Sequence, residues 1–234
     1  LVNTAFPFQY NDFASLENLI ANNKNIGSIY MEVTRNFEPK DNFLHKVRDL
    51  ATRNNIILIF DECTSGFREA LGGIHLKYGV DPDIAMFGKA IGNGYAITAI
   101  IGREEIMQAA QTSFISSTFW TERIGPSAAL KTIDVMRRLK SWEVITEQGQ
   151  KVKKGWQAIS DAHNLKIVHS GIPSLASFSF ESENNLAYKT LITQEMLKQG
   201  YLANTTLYCS IEHTDDVLNG YFERLDNVFS LIKT

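Results

Sequence analysis

The sequence is poor in cysteine, has no excess of charge of one sign and contains no long hydrophobic run. Its two cysteines, Cys63 and Cys209, are too few for a disulfide scaffold or a four-cysteine zinc site, and they fit a reducing compartment. A formal net charge of −3 leaves no basic footprint for nucleic acid and no polybasic patch for a membrane surface. No apolar run reaches the ~20 residues that a membrane-spanning helix needs. We therefore expect a cytoplasmic protein that binds neither nucleic acid nor membranes.

The first residues also lack an initiating methionine, a basic region and a cleavage site, so they are not a signal peptide. We expect the chain to be a processed, truncated or domain-length piece. Its 234 residues are 44% hydrophobic and 21% charged, which are ordinary values for a globular chain. This length predicts one or two domains with a sizeable core.

Helical and strand patterns alternate along the first half of the chain. The spacing of apolar residues predicts helices near residues 15–20 and 43–54, and residues 26–33 are typical of a short strand. The five consecutive apolar residues 56–60 predict a parallel strand that is buried on both faces. Further segments follow the same alternation: strands at 84–87 and 96–101, and a helix at 103–111.

The pattern changes in the second half. A long helical region is predicted for residues 123–162, with breaks expected at Ser141 and Gly149. After it we predict three strands and two helices: strands at 166–169, 174–180 and 206–211, and helices at 186–199 and 215–232. The chain is therefore predicted to divide into an α/β part, residues 1–139, and a smaller α+β part, residues 140–234.

Two ionisable side chains stand where two predicted strands end. Asp61 follows the strand at 56–60, and Lys89 comes just after the strand at 84–87. Ligands of open α/β sheets bind beyond the carboxyl ends of the strands. A partly desolvated lysine forms a Schiff base with an aldehyde, and a carboxylate pairs with a protonated pyridine nitrogen. Such a pair is what a protein contributes to catalysis by pyridoxal phosphate.

Spacing alone favours a plainer interpretation of the same two residues. An aspartate at a strand end is usually a turn former or a helix cap. A lysine after a strand is usually a solvated residue that guards against aggregation. The neighbouring segments decide between these interpretations.

Four segments resemble three motifs of the class III aminotransferases, in the order and spacing of that family. Residues 58–68, LIFDECTSGFR, resemble its strand-D-E-x-x-[TS]-G-F-R motif. Residues 79–84, GVDPDI, and 87–94, FGKAIGNG, resemble its G-V-x-P-D and G-K-x-[IL]-[GS]-[GN]-G segments. Residues 116–119, SSTF, resemble its S-T-[FYL] segment. Residues 209–216, CSIEHTDD, resemble the S-x-x-H-T-x-x-D ending of the glutamate-1-semialdehyde aminomutase-like branch of the family.

The resemblance implies a fold and a cofactor. The fold is that of the fold-type-I pyridoxal-phosphate transferases: part of a large domain with a mostly parallel sheet between helices over 1–139, and a C-terminal α+β small domain over 140–234. The cofactor is pyridoxal 5'-phosphate. Lys89 would be the Schiff-base lysine and would carry the proton during the reaction. Asp61 would pair with the pyridine nitrogen and keep the ring an electron sink.

The resemblance also implies roles for four further residues. Cys63 would pack on a face of the cofactor ring, and Thr64 would approach the ring oxygen. Thr118 would bind the cofactor phosphate of a partner subunit, which implies a homodimer with shared sites. Glu32 is a candidate substrate residue, although Val33 follows it where the family has proline. The five histidines show no metal-ligand spacing, and no metal is expected.

Two departures from the family pattern bear on the function. The family's N-terminal part, with its glycine-rich phosphate-binding turn and its stacking aromatic residue, is not among these residues, so we expect this chain alone to bind the cofactor weakly or not at all. Residues 202–208, LANTTLY, lack the glutamate that the aminomutase branch carries there.

We therefore predict a pyridoxal-phosphate-dependent aminotransferase, which moves an amino group between an amine donor and a keto or aldehyde substrate. A sugar-linked ketone or aldehyde is one candidate substrate. One alternative is a glutamate-1-semialdehyde 2,1-aminomutase, an isomerase with the same cofactor. Another is a truncated, non-catalytic domain that binds the cofactor weakly and serves as a dimerisation partner.

Overall fold

The computed structural model describes residues 4–116, 118–119 and 121–232, and the chain divides into two compact units, Leu1–Arg138 and Leu139–Thr234. The first unit contains one four-stranded sheet, whose strands are neighbours in chain order. The strands are β1 (Ser28–Glu32), β2 (Ile57–Asp61), β3 (Ile84–Phe87) and β4 (Ala99–Gly102). The first three strands are parallel and β4 is antiparallel to β3. The carboxyl ends of β1, β2 and β3 therefore lie at one edge of the sheet.

Helices connect and flank these strands. They are α1 (Phe13–Asn22), α2 (Phe43–Arg53), α3 (His75–Tyr78), α4 (Glu104–Met107) and α5 (Ile124–Leu139), with short 3-10 helices at Lys89–Ile91 and Gln108–Thr112. The side chain of Asp12 caps α1 by accepting a hydrogen bond from the Ser15 amide, at 3.0 Å. The helix predicted at 103–111 is thus a short α-helix continued by a 3-10 turn.

Only one face of the sheet is fully covered. Successive side chains of a strand point to opposite faces, and in β2 the fully buried Leu58 and Phe60 alternate with the half-buried Ile57 and Ile59. The prediction that this strand is buried on both faces is therefore wrong for the described residues, because its alternate side chains lie on the less covered face. We call this the open face; it carries Tyr30, Ile59, Asp61, Met86 and Ile100.

The second unit is an antiparallel sheet with three helices. Its elements are α6 (Ser141–Ala162), β5 (Ile167–Ser170), β6 (Leu175–Phe180), α7 (Asn185–Lys198), β7 (Thr206–Tyr208) and α8 (Asp215–Phe229). The three strands pair in the order β5-β6-β7. Its core is built around the fully buried Trp156, whose indole N–H donates to the Tyr221 hydroxyl at 2.8 Å. The predicted α+β class is confirmed, with β7 shorter than the strand expected from the sequence.

One of the two breaks expected in the long helical region is present. Helix α5 ends at Leu139 and α6 begins at Ser141, with Lys140 between them at φ +48°. The break expected at Gly149 is wrong, because α6 runs through that residue. Gly149 instead lets the loop before β6 pack closely against the helix. A Cβ at this position would lie 1.8 Å from the carbonyl oxygen of Pro173, which belongs to that loop. This glycine is used for close packing rather than for helix termination.

Replacing Gly149 by alanine is therefore expected to destabilise the second unit. The added methyl group would overlap the Pro173 backbone, which has no flexible end to move aside, so we expect a loss of about 1–3 kcal/mol in the free energy of unfolding. Urea unfolding of the two proteins measures this difference. Gly27→Ala is the matched control, since a Cβ there meets nothing within 4 Å. Equal midpoints for wild type and Gly149→Ala would contradict the close approach.

Candidate active site

Asp61 ends β2 at the carboxyl edge of the sheet, with both carboxylate oxygens hydrogen-bonded. Oδ1 accepts from the Cys63 amide at 2.9 Å, and Oδ2 accepts from the Tyr30 hydroxyl. Burial alone raises the pKa of the Asp61 carboxyl, but the bonds from Tyr30 and Cys63 and the charge of Lys89 outweigh it and lower the pKa below its ordinary value. Asp61 is therefore a carboxylate at neutral pH.

Lys89 lies just beyond β3, next to the end of the strand that carries Asp61. It begins a 3-10 turn in the left-handed region, at φ +48°. Its Nζ donates to the hydroxyl of Thr64 at 3.0 Å. The charge of Lys89 is also one of the causes that lower the pKa of Asp61, so the two groups are electrostatically coupled. The structure thus brings together Lys89, Asp61 and Thr64, as the sequence predicts.

Cys63 and Thr64 form the start of the loop between β2 and α3. The Cys63 side chain lies beside Gly88, where a Cβ would be 3.5 Å from Sγ. Burial, the hydrogen bond with Asp61 and the charge of that carboxylate raise the pKa of the Cys63 thiol, although Lys89 acts in the opposite sense. The thiol therefore stays protonated at neutral pH and provides a small, weakly polar surface rather than a nucleophile.

Glu32 lies at the same edge, and Thr118 lies in the loop that precedes α5. Glu32 is directly opposite Asp61 in the β1–β2 register, and its Oε1 is 3.4 Å from Nη1 of Arg35. Thr118 is exposed in a short turn of the segment between the 3-10 helix at Gln108–Thr112 and α5. Ser117, another residue of the predicted segment 116–119, lies outside the described residues.

Two residues at this edge were missed by the sequence analysis: Tyr30, described above, and Glu62. Glu62 is fully buried, and its carboxylate accepts from the Ser65 hydroxyl at 2.6 Å and from the amides of Ile74 and His75 at 3.0 and 2.9 Å. It also contacts Nδ1 of His75 at 2.8 Å. Glu62 therefore ties both ends of the 62–75 loop together beneath Asp61 and Cys63. Glu62 is the glutamate of the D-E-x-x motif in residues 58–68, so the sequence marks the residue but does not reveal its burial or its partners.

The ionised state of Glu62 contributes to stability. Burial by itself raises the pKa of its carboxyl, but the hydrogen bonds from His75, Ser65 and Ile74 outweigh it and lower the pKa. A carboxyl whose pKa is lower in the folded state stabilises the fold fully above its unfolded pKa. That contribution is lost as the pH falls through the folded pKa.

We expect Glu62→Gln to destabilise the first unit by roughly 2–4 kcal/mol at pH 7, because a glutamine NH₂ would face amide and hydroxyl donors. The variant should also lose part of the acid sensitivity of the wild type. Urea unfolding at pH 7 and at pH 4 measures both effects. Glu17→Gln, at an exposed position of α1, is the control. A variant as stable as wild type at pH 7 would contradict the role given to Glu62.

Two cavities border the edge of the sheet. One cavity, of about 570 Å³, is lined in part by Lys89. Its other lining residues are Tyr95, Ala96, Ile97, Thr98, Phe119, Glu122 and Pro126. A second cavity, of about 420 Å³, includes Tyr30, Glu32 and Arg35. Both volumes are within the range of small-molecule sites, roughly 300–1,000 Å³.

The residues at this edge suit pyridoxal phosphate. An ionised aspartate with a spare acceptor position matches a pyridinium N–H, and a lysine that lines a cavity matches the cofactor aldehyde. The described residues contain no cluster of histidine, cysteine and acidic side chains that could hold a metal ion. No helix within the described ranges is long and apolar enough to cross a membrane.

The segment that resembles the aminomutase branch forms the start of α8. Nδ1 of His213 accepts from the Ser210 amide at 2.9 Å, and the Thr214 side chain caps the helix by accepting from the Val217 amide. Burial lowers the pKa of His213. Residues 210–214 therefore have a structural role in this unit, because they form the turn and the cap that precede α8.

Comparison with known proteins agrees with this chemistry. A family model described as aminotransferase class-III matches residues 32–208. The 3-aminobutyryl-CoA aminotransferase of Cloacimonas acidaminovorans (strain Evry) is 36% identical over 197 residues, which cover 81% of this chain and 48% of that protein. The glutamate-1-semialdehyde 2,1-aminomutase of Prosthecochloris aestuarii (strain DSM 271 / SK 413) is 31% identical over 206 residues, covering 85% and 48%. The chain spans about half the length of these curated relatives.

Solved structures share the fold. The FumI protein of Sphingopyxis sp. MTA144, in its PLP internal aldimine form, superposes with a TM-score of 0.89 at 24% identity, over 97% of this chain and 57% of that one. The acetylornithine aminotransferase of Elizabethkingia anophelis superposes with a TM-score of 0.84 at 20% identity, over 97% and 60%. At these identities the likeness establishes the fold, and it confirms the predicted fold-type-I architecture.

The segment matched by the family model contains Glu32, Asp61, Cys63, Thr64, Lys89 and Thr118. The cofactor of this family is pyridoxal phosphate, so the prediction of the cofactor is confirmed at the level of the family. The roles of the individual residues stay predictions. With a match over most of its length, the chain belongs to the class-III aminotransferase family.

Proposed function

We propose that the protein to which this chain belongs is a pyridoxal-phosphate-dependent aminotransferase, which moves an amino group between an amine donor and a keto or aldehyde substrate. The observation that carries the proposal is the placement of Asp61 and Lys89 at the carboxyl ends of the neighbouring parallel strands β2 and β3 in a class-III fold. We assign the Schiff base to Lys89 and the pyridinium contact to Asp61.

The chain's own residues perform four tasks in this proposal. Pyridoxal phosphate, when bound, supplies the aldehyde and the electron-withdrawing ring. Lys89 would hold that aldehyde through Nζ and would serve as the group that carries the proton, and Thr64 positions Nζ through their 3.0 Å hydrogen bond. Asp61 holds the proton on the ring nitrogen, because its ionised carboxylate stabilises the positive charge. Cys63 provides a small surface for the ring face, and Glu32 faces the substrate side.

We propose further that the protein is a cytoplasmic homodimer, in which Thr118 reaches the cofactor phosphate of the partner subunit. The segment around Thr118 supports this, because it exposes large apolar side chains that a second copy would cover. Phe114 is 95% exposed, Phe119 67% and Ile124 64%. The low cysteine content supports a reducing compartment.

An aminomutase is the second candidate. Relatives that carry this name are 28–39% identical to the chain, and residues 210–214 share the branch's S-x-x-H-T pattern. The two reactions differ in the fate of nitrogen: an aminomutase returns it to the same carbon skeleton, whereas an aminotransferase passes it to a second molecule. Residues 202–208, without the branch's glutamate, favour the aminotransferase.

Borohydride trapping and isotope labelling test both levels of the proposal. We expect that reduction of the cofactor-loaded complete protein, followed by peptide mapping, places the cofactor on Lys89. We also expect ¹⁵N from a labelled amine donor to appear in the product of a separate keto or aldehyde acceptor. Cofactor attached to another lysine would refute the role of Lys89. Nitrogen that stays within one substrate skeleton would establish the aminomutase instead.

A further inference from the structure

We propose that Tyr30 is a positioning residue of this active site, whose hydroxyl holds the Asp61 carboxylate in place for the pyridinium of the cofactor. The inference rests on the proposed function and adds to it a residue outside the resembling motifs. It is carried by the contact between Tyr30 on β1 and Asp61 on β2.

The sheet register brings the two side chains together. Glu32 is opposite Asp61 and Tyr30 is opposite Ile59, so Tyr30 lies diagonally across the strands from Asp61, on the open face. A side chain of this length spans such a diagonal, and the Tyr30 hydroxyl donates to Oδ2 of Asp61. Although 53% of Tyr30 is exposed, its polar end is thus held by one specific carboxylate.

The contact leaves room for the cofactor. An ionised carboxylate has about four acceptor positions. In Asp61, the Tyr30 hydroxyl uses one position on Oδ2, the Cys63 amide uses one on Oδ1, and the Cys63 thiol also hydrogen-bonds the carboxylate. At least one position is left, so Tyr30 and a pyridinium N–H can bind the carboxylate at the same time. With donors on both oxygens, the carboxylate is oriented before the cofactor arrives.

The pKa shifts of Tyr30 and Asp61 also favour a hydrogen bond from the hydroxyl to the carboxylate. The hydrogen bond to Asp61, followed by burial and by the charges of Asp61, Cys63 and Glu32, raises the pKa of Tyr30 to about 12. Tyr30 therefore remains a donor across the pH range in which an enzyme works. In return, its hydrogen bond helps to keep Asp61 ionised, together with the Cys63 amide and the charge of Lys89. Loss of the hydroxyl would let the pKa of Asp61 rise.

The test compares Tyr30→Phe with Tyr78→Phe in the complete protein. Tyr78 is a matched control, because its hydroxyl also donates to a carboxylate, that of Glu38, outside the group of Lys89, Asp61 and Thr64. The first measurement is a ¹³C NMR titration of aspartate carboxyls in the cofactor-free protein, with Asp61→Asn used to assign the signal of Asp61. The second is the pH profile of kcat and KM for the loaded enzyme.

We expect Tyr30→Phe to raise the pKa of Asp61 and to lower kcat by about tenfold, with a smaller change in KM, as for loss of a hydrogen bond to a charged group. The acid limb of its kcat profile should move to higher pH. Tyr78→Phe should change none of these values. An unshifted Asp61 titration, or a kcat equal to that of wild type at every pH, would overturn the role of Tyr30. A wild-type protein with no cofactor on Lys89 and no amino transfer would refute the proposed function itself, and the inference with it.

Discussion

Replacement of Lys89 by alanine is expected to lower kcat by roughly 10⁴-fold or more, the largest effect of any single substitution in this chain. In the proposed role the side chain both binds the cofactor aldehyde and carries the proton, so its loss would remove two functions at once. Within the part of the chain that the structure describes, the side chain of Lys89 makes one hydrogen bond, to the Thr64 hydroxyl, so little of the fold depends on it. The variant should therefore fold normally. Turnover and circular dichroism of the complete protein check both parts.

Two controls make this result specific. Lys189→Ala, at an exposed position of α7, removes the same charge and should leave kcat unchanged. Addition of a small primary amine to Lys89→Ala should restore part of the activity, because a free amine can carry the proton that Nζ carried. Turnover of Lys89→Ala at the wild-type rate without added amine would show that Lys89 is not the Schiff-base residue.

Asp61→Asn is expected to lower kcat by roughly 10²- to 10³-fold, as for removal of one preorganised charge from a transition state. The amide keeps the size of the carboxyl group and can still accept from the Tyr30 hydroxyl, but it carries no negative charge to hold a proton on the ring nitrogen. The fall in kcat should therefore exceed the change in KM. Steady-state kinetics with saturating cofactor separates the two quantities.

Asp81, at the opposite edge of the sheet from Asp61, provides the control for this prediction. Asp81 is exposed just before β3, at the amino edge of the sheet, and Asp81→Asn should have wild-type kinetics. Full activity in Asp61→Asn would remove Asp61 from the cofactor site. An equal loss in both variants would point to a general effect of charge on the fold rather than to chemistry at the ring.

The sequence was sufficient to predict those site residues that follow from local order along the chain. β2 and β3 were visible as continuous apolar runs, and Asp61 and Lys89 were found because they directly follow these runs. The resemblance added Thr64, and the structure places its hydroxyl on Nζ of Lys89.

The residues that were missed depend on neighbours distant in sequence. Tyr30 matters only because the β1–β2 register sets it diagonally opposite Asp61, and no pattern within β1 encodes that register. Glu62 is buried by partners from Ser65 to His75, which meet only when the loop closes. The open face of β2 was also mistaken for a buried one, because an apolar run does not reveal which of its residues a helix covers.

The left-handed backbone of Lys89 implies a conflict between stability and activity at this position. A side chain at φ +48° costs about 1–2 kcal/mol that glycine would avoid, so glycine would be the more stable choice for this turn. The role proposed for Lys89 accounts for a lysine at this position, because glycine has no amine to bind an aldehyde. Under that proposal, substitutions selected only for higher stability would be expected to remove the side chain on which activity depends.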